Sequence, residues 1–186
     1  PWVEEGGRRA WLARLADPET RTRVLEQMVT PSDEWDNTYR AVGSPDNVLL
    51  VGFRNEALKP LIGKTLAEVA ARRGTPPADT ILDLILENGG DVSAVYFTMS
   101  EENVRRQIAV PWVSFSSDGA SQATEGVFLS QSTHPRAYGS LARLLGKYVR
   151  EEGVIPLAEA VRRLTSLPAN NLRLARRGAL SVGHFA

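Results

Sequence analysis

Short apolar segments alternate with helix-like segments along this chain, and this alternation constrains the fold more than any other feature. Residues 47–53 form a short, continuous apolar run after turn residues, which is typical of a buried strand. A second buried strand is predicted at residues 92–98 and a third strand at residues 112–115. The segments around them have apolar residues at helical spacing. Strands that alternate with helices favour parallel β–α units, so we predict an α/β fold.

Several helix boundaries carry their own signals. Asp17 is a predicted N-cap with Pro18 at the first helical position. Thr65 to Glu68 has the spacing of a capping box, which predicts a helix start. Gly74 is the predicted end of that helix. Ser100 precedes two acidic residues, which favours another helix start. Further helices are predicted near residues 77–88, 136–150, 156–165 and 167–174.

The charge balance argues against two classes of partner. Lysine and arginine together number 22, and aspartate and glutamate together also number 22. A chain without a net basic field is a poor candidate for binding nucleic acid or an anionic membrane. It contains no cysteine, which excludes disulfides and thiolate ligands within the chain and is compatible with the cytoplasmic enzyme that we predict.

The most promising chemical group in the sequence is Asp118. It lies in Ser117-Asp118-Gly119, directly after the third predicted strand. Reactive side chains of α/β folds gather at the carboxyl ends of strands, so this carboxylate is a candidate site residue. An ordinary Asp-Gly turn has the same sequence and is the alternative.

A second candidate is Arg136, which follows His134 and Pro135. Its planar guanidinium suits the recognition of a carboxylate, although a solvated residue in the first turn of a helix would look the same. The chain has only two histidines, His134 and His184. A hydrolytic zinc ion normally takes three protein ligands, so a metal site formed entirely within this chain is not expected.

Collinear motifs along nearly the whole chain resemble the D-aminoacylases, the N-acyl-D-amino-acid deacylase family of the amidohydrolase superfamily. The similar segments are 2–7, 14–18, 36–37, 50–52, 63–68, 78–80, 82–84, 99–101, 117–119, 134–139 and 161–169. Each segment is short and unspecific, whereas their order is specific. The resemblance covers only the C-terminal part of such proteins.

The resemblance implies a fold. That family forms a metal-bearing (β/α)8 barrel, similar to a TIM barrel, with a small β domain. Residues 1–180 would then be the C-terminal part of the barrel, with a lid-like insertion at about residues 1–45, and residues 181–186 would begin the return to the small β domain. We therefore expect a barrel that is incomplete in this chain, and an isolated chain that is inactive.

The resemblance also implies a chemistry, the zinc-dependent hydrolysis of N-acyl-D-amino acids to a carboxylate and a free D-amino acid. Asp118 would be the catalytic acid and base and a possible metal ligand, for one or two zinc ions whose other ligands lie elsewhere. Arg136 would hold the substrate's α-carboxylate. Tyr96 and Met99 would line the pocket for the substrate side chain, although ordinary packing explains these two residues equally well. The partners would be the small-molecule substrate and the remainder of the barrel.

Two other functions remain open at this point. A cyclic-amide hydrolase of the dihydroorotase or hydantoinase type would share the barrel and the aspartate. Alternatively, the chain is a non-catalytic fragment or a subunit that completes a barrel with a partner chain, which the lack of metal-binding histidines favours.

Overall fold

The computed structural model describes residues 2–130 and 133–185. Within these residues the protein is rich in helices and has one small two-stranded sheet. The predicted α/β class is confirmed at this level. The chain divides into two compact units, Pro1–Thr98 and Met99–Ala186. Pro1 and Ala186, which belong to the predicted lid-like and return segments, lie outside the described residues.

The first unit contains helices α1 to α5 and strands β1 and β2. In chain order they are α1 (Gly7–Ala16), α2 (Pro18–Val29), α3 (Thr38–Ala41), β1 (Val48–Gly52), α4 (Leu66–Arg73), α5 (Pro77–Glu87) and β2 (Ser93–Tyr96). Short 3-10 helices occur at Trp2–Glu4, Pro45–Asn47 and Glu56–Leu61.

The predicted helix caps of this unit are confirmed. The Asp17 carboxylate accepts a hydrogen bond of 2.8 Å from the backbone N–H of Thr20 at the start of α2. Thr65 and Glu68 form a reciprocal capping box at the start of α4. Gly74 ends that helix in the left-handed conformation, with φ 67°, which glycine adopts without the steric cost of a Cβ atom.

The predicted parallel direction of strand pairing is wrong. β1 and β2 pair antiparallel, with Leu50 opposite Ala94 and an irregularity between Leu50 and Gly52. Two successive helices, α4 and α5, connect these strands, whereas a β–α–β unit has one crossover helix. The additional helix reverses the chain once more, so β2 returns in the direction opposite to β1.

The core of the first unit lies between one face of the sheet and helices α4 and α5. Its buried side chains are Val42, Val48, Leu50, Phe53, Leu58, Leu66, Val69 and Leu84. Ion pairs join the helices outside this core. Arg21 of α2 pairs with Asp79 and Asp83 of α5, and Arg73 of α4 pairs with Glu87 of α5.

The second unit is helical. Its elements are α6 (Glu101–Ala109), a 3-10 turn (Gly126–Ser130), α7 (Arg136–Arg143), α8 (Leu157–Leu164) and α9 (Ser166–Asn171), and α7 continues as a π-helix over Leu144–Glu151. The buried core comprises Ile108, Leu144, Tyr148, Ile155 and Ala160.

Glu101 at the start of α6 connects that helix to α7 and to the π-helix that continues α7. Its carboxylate accepts hydrogen bonds from Lys147 at 2.7 Å, Tyr148 at 2.9 Å and Arg143 at 2.5 Å. These hydrogen bonds, with that from Lys147 the largest cause, lower the pKa of Glu101 to about 2. The carboxylate therefore stays ionised far below the ordinary range of glutamate.

The third predicted strand is also wrong, because residues 112–115 form no strand in the structure. A strand needs a neighbouring strand to satisfy its backbone hydrogen bonds. Here helix α8 provides partners instead: the carbonyls of Pro111 and Val113 accept from Arg162 and Arg163. Val113 and Phe115 are partly buried and Trp112 is 74% exposed, so the apolar pattern identified a partly shielded segment but not the element that pairs with it.

Among the described residues, no helix has both the length and the apolar character needed to cross a membrane.

Candidate active site around Asp118 and Arg136

Asp118 lies in a turn that is attached to the start of α7. The Ser117 hydroxyl donates to the backbone oxygen of Arg136 at 2.8 Å and accepts from the backbone N–H of Gly119 at 3.0 Å. Gly119 approaches the helix so closely that a Cβ atom there would lie 2.8 Å from the Cα of Ala137. This glycine is required for close approach of two backbones.

Arg136 is the first residue of α7. Its backbone N–H donates to Nδ1 of His134 at 3.1 Å, so the imidazole accepts from one of the free N–H groups at the helix start. Its backbone oxygen accepts from Ser117 and also from Ser140 at 3.0 Å. The local backbone of Arg136 is therefore fixed from both sides by side chains.

The structure brings the two principal predicted site residues together. Arg136 Nη1 lies 3.1 Å from Asp118 Oδ1, and the side chains are 47% and 78% exposed. An ion pair between groups this exposed contributes about 0–1 kcal/mol. Because the pair is weak, a ligand can displace either partner at little cost. Among the described residues, both the carboxylate and the guanidinium keep hydrogen-bonding positions without a partner.

The other two predicted site residues belong to different units. Tyr96 ends β2 in the first unit, where it lines an apolar cavity of about 210 Å³ next to Trp11 and Val92. Partial burial raises the pKa of its phenol. Met99 is the first residue of the second unit and is 76% exposed. Their assignment to the substrate side chain stays a prediction.

The described part of the chain does not complete a zinc site. It contains no group of three or more histidine, cysteine, aspartate or glutamate side chains arranged to hold a metal ion. Asp118 could provide one ligand, whereas a hydrolytic zinc ion takes three protein ligands. The donors near Asp118 therefore do not fit a metal centre by themselves.

One residue with a clear part in building this site was missed from the sequence. Arg163 of α8 is fully buried and holds the segment that leads to Asp118. It stands in an Arg-Arg pair on an amphipathic helix, and such pairs usually mark a solvated face. Only its 0% exposure distinguishes it from its neighbour Arg162, and no local sequence signal gives that difference.

The fold and the site together define part of a helix-rich α/β protein that presents a carboxylate–guanidinium pair next to a helix start. No protein-family model matches the sequence. The D-aminoacylase of Alcaligenes xylosoxydans xylosoxydans is 37% identical over 145 residues, which is 76% of this chain and 28% of that protein. The N-acyl-D-glutamate deacylase of the same organism is 37% identical over 124 residues, which is 67% of this chain and 23% of that protein.

A solved structure agrees with these sequence matches. The N-acyl-D-glutamate deacylase of Bordetella bronchiseptica, complexed with zinc and a phosphonate mimic of the reaction's tetrahedral intermediate, superposes with a TM-score of 0.62 at 31% identity. The match covers 79% of this chain and 28% of that one. The chain is therefore homologous to part of the N-acyl-D-amino-acid deacylases, and the resemblance found in the sequence is confirmed. The chain spans about a quarter of the length of the relatives it matches.

Proposed function

We propose that the protein to which this chain contributes hydrolyses the amide bond of N-acyl-D-amino acids, giving a carboxylate and a free D-amino acid. The observation that carries the proposal is the 37% identity to a D-aminoacylase over 145 residues. An N-acyl-D-glutamate deacylase and an N-acyl-D-aspartate deacylase are also similar, at 37% and 29% identity. These three relatives are named for substrates of one chemical class.

Asp118 is proposed to move the proton that this reaction requires. A water oxygen forms the new bond to the amide carbon, and the Asp118 carboxylate accepts a proton from that water. The same carboxyl then donates the proton to the amide nitrogen as the carbon–nitrogen bond breaks. The exposure of Asp118, at 78% of its side chain, leaves it accessible to water and substrate.

Arg136 is proposed to bind the α-carboxylate of the substrate. Its guanidinium can form two parallel hydrogen bonds with a carboxylate, and in this structure it already pairs with one, that of Asp118. A substrate carboxylate that replaces Asp118 as the partner of Arg136 would leave Asp118 free for proton transfer. Tyr96 and Met99 are proposed to contact the substrate side chain.

The complete enzyme is proposed to contain one or two zinc ions. The relative of known structure is complexed with zinc, whereas the described residues of this chain do not form a zinc site. When bound, zinc would polarise the amide and activate water.

We propose that residues 1–180 belong to an amidohydrolase barrel with a lid-like insertion at about residues 1–45, and that residues 181–186 begin a return to a small β domain. The remainder of that barrel, in the same or another chain, would provide the remaining ligands. The isolated chain would then be inactive, and a cytoplasmic location is proposed for the enzyme.

A substrate panel tests the proposed function. The complete protein, purified with its bound metals, is incubated with N-acetyl-D-amino acids, their L-enantiomers, hydantoins and dihydroorotate. Free amine is measured for the open substrates, and the ring-opened N-carbamoyl product is measured for the cyclic ones. Release of D-amino acids from the open substrates alone is expected. Turnover of the cyclic amides alone would contradict the proposal.

The composition of the same sample tests the proposed barrel. Intact mass under denaturing conditions, with zinc measured in parallel, should reveal a chain much heavier than 20.4 kDa or a second polypeptide, together with bound zinc. A single 20.4 kDa species that deacylates without metal would contradict both the proposed barrel and the proposed zinc.

A further inference from the structure

The segment that leads to Asp118 is held by a buried arginine. We call residues 110–117, between α6 and Asp118, the approach segment. Arg163 of α8 is 0% exposed, and its Nε donates to the backbone oxygen of Val113 at 2.6 Å. Its Nη1 donates to the backbone oxygen of Ile108, at the end of α6, at 2.5 Å. One guanidinium therefore fixes the end of α6 relative to the approach segment.

Two further contacts join Arg163 to Phe115 of the approach segment. The guanidinium carbon of Arg163 lies 4.2 Å from the centre of the Phe115 ring, in a cation–π arrangement. The backbone N–H of Phe115 points to the backbone oxygen of Arg163 at 3.4 Å, a long contact. Arg163 thus takes the place of the neighbouring strand that the sequence pattern led us to expect for this segment.

The burial of Arg163 has an energetic cost. Its Nη2 is buried and has no hydrogen-bond partner among the residues that the structure describes. Desolvation lowers the pKa of this guanidinium, which means that burial disfavours the charged form. An apolar side chain of similar volume would fill the space without this cost, but it would not direct the carbonyls of Val113 and Ile108.

From Phe115 the approach segment continues for two residues to Asp118. On the far side of Asp118, Gly119 lies against the backbone of α7, where a Cβ atom would meet Ala137 at 2.8 Å. Ser117 is also fixed to the backbone oxygen of Arg136. Asp118 is exposed, but the chain before it and the chain after it are both anchored to helices.

We propose that Arg163 is a positioning residue, which places Asp118 for proton transfer by fixing the approach segment. It touches no reacting atom and acts only through the backbone of residues 110–117. This inference rests on the proposed function, in which Asp118 is the acid and base. A shift of Asp118 would weaken proton transfer to the leaving group, while Arg136 would continue to bind the substrate carboxylate.

The test compares two leaving groups in the complete, metal-containing enzyme. The first substrate is an N-acyl-D-amino acid, whose leaving nitrogen must be protonated. The second is an O-acyl-D-2-hydroxy acid, an ester with the same carboxylate. Its alkoxide leaving group needs far less help from an acid. R163K keeps the positive charge but loses the planar donor pair. We expect its ratio of amide kcat to ester kcat to fall at least roughly tenfold, because a displacement near 1 Å can cost about a hundredfold in rate. KM for both substrates should change little.

The ratio separates positioning from a loss of folded protein, because a smaller folded fraction lowers both rates equally. R106K is the matched control, since Arg106 is 72% exposed on α6 and pairs only with Glu102 among the described residues. F115L removes the ring next to Arg163 but not its hydrogen bonds. It should lower the ratio in the same direction, and it provides the test if R163K yields no soluble enzyme.

An unchanged amide-to-ester ratio in R163K, or in F115L where R163K is insoluble, overturns the inference. The D118N variant distinguishes this failure from failure of the proposed function. If D118N has lost amide turnover and the ratio in R163K is normal, Asp118 is catalytic and Arg163 does not position it. If D118N keeps its turnover, the role proposed for Asp118 is wrong and the inference falls with it.

Discussion

Replacing Gly119 by alanine should impair the enzyme because the new side chain would contact the backbone of Ala137 too closely. The new Cβ atom would lie 2.8 Å from the Cα of Ala137 and 3.0 Å from its nitrogen, both of them backbone atoms that cannot rotate away. To restore ordinary contact at 3.4 Å, the turn that carries Asp118 must move from α7 by about 0.6 Å. If a displacement of about 1 Å costs roughly a hundredfold in rate, this one should cost roughly tenfold.

The stability cost of G119A should be modest. Overpacking costs about 1–3 kcal/mol, and the value here should lie near the lower limit because the turn borders solvent and can relax outward. The assay is kcat for an N-acetyl-D-amino acid together with thermal unfolding of the same samples. G139A is the matched control, because Gly139 lies in α7 and, apart from its chain neighbours and the backbone of its own helix, no atom of the described residues lies within 4 Å of the position of its Cβ. Wild-type kcat and wild-type unfolding temperature in G119A would refute the reasoning.

Three further outcomes are expected. R136K should raise KM about ten- to a hundredfold with kcat little changed, because lysine cannot reproduce a bidentate bond to the substrate carboxylate; an unchanged KM would place that carboxylate elsewhere. E101Q should unfold more easily than wild type at pH 7. This difference in stability should shrink as the pH falls from 4.5 towards 2, because the pKa of Glu101 in the folded state lies below the ordinary value of 4.5. A difference in stability that is constant over this pH range would contradict the prediction. T65A removes a capping-box hydroxyl and should lower the free energy of urea unfolding by about 1 kcal/mol, and no measurable loss would argue against the cap.

Local helix signals predicted the structure well. Asp17, Thr65 and Ser100 each cap the helix that their sequence context predicts, and Gly74 ends α4. These signals work because a cap involves residues at most four positions apart, so the sequence contains both partners of the interaction.

Strand pairing could not be predicted in the same way. The apolar run of residues 112–115 shows that the segment is partly shielded from water, but not which group satisfies its backbone. In the structure Arg163, fifty positions from Val113, is the partner within this run, and Arg162 donates to the adjoining carbonyl of Pro111. Similarly, the apolar patterns of β1 and β2 do not show whether the two strands pair parallel or antiparallel. That direction follows from the two helices between them.

The candidate site was partly predictable. The sequence selected Asp118 and Arg136 separately, and the structure places their side chains 3.1 Å apart. The sequence also showed Gly119 directly after Asp118, but it did not predict the close contact of this glycine with Ala137. Arg163 was missed because its burial depends on the packing of α8 against the approach segment, and a pair of arginines carries no sign of such packing.

The most direct test of the central proposal is the turnover of D118N in the complete enzyme, measured as free D-amino acid released from an N-acetyl-D-amino acid. Asparagine preserves the shape of the side chain but cannot accept and return a proton. We predict that turnover falls by at least about a hundredfold while thermal unfolding is unchanged, since acid–base catalysis typically contributes a factor of 10²–10⁴. A D118N enzyme that releases D-amino acid at the wild-type rate would contradict the assignment of Asp118 as the catalytic residue of this chain.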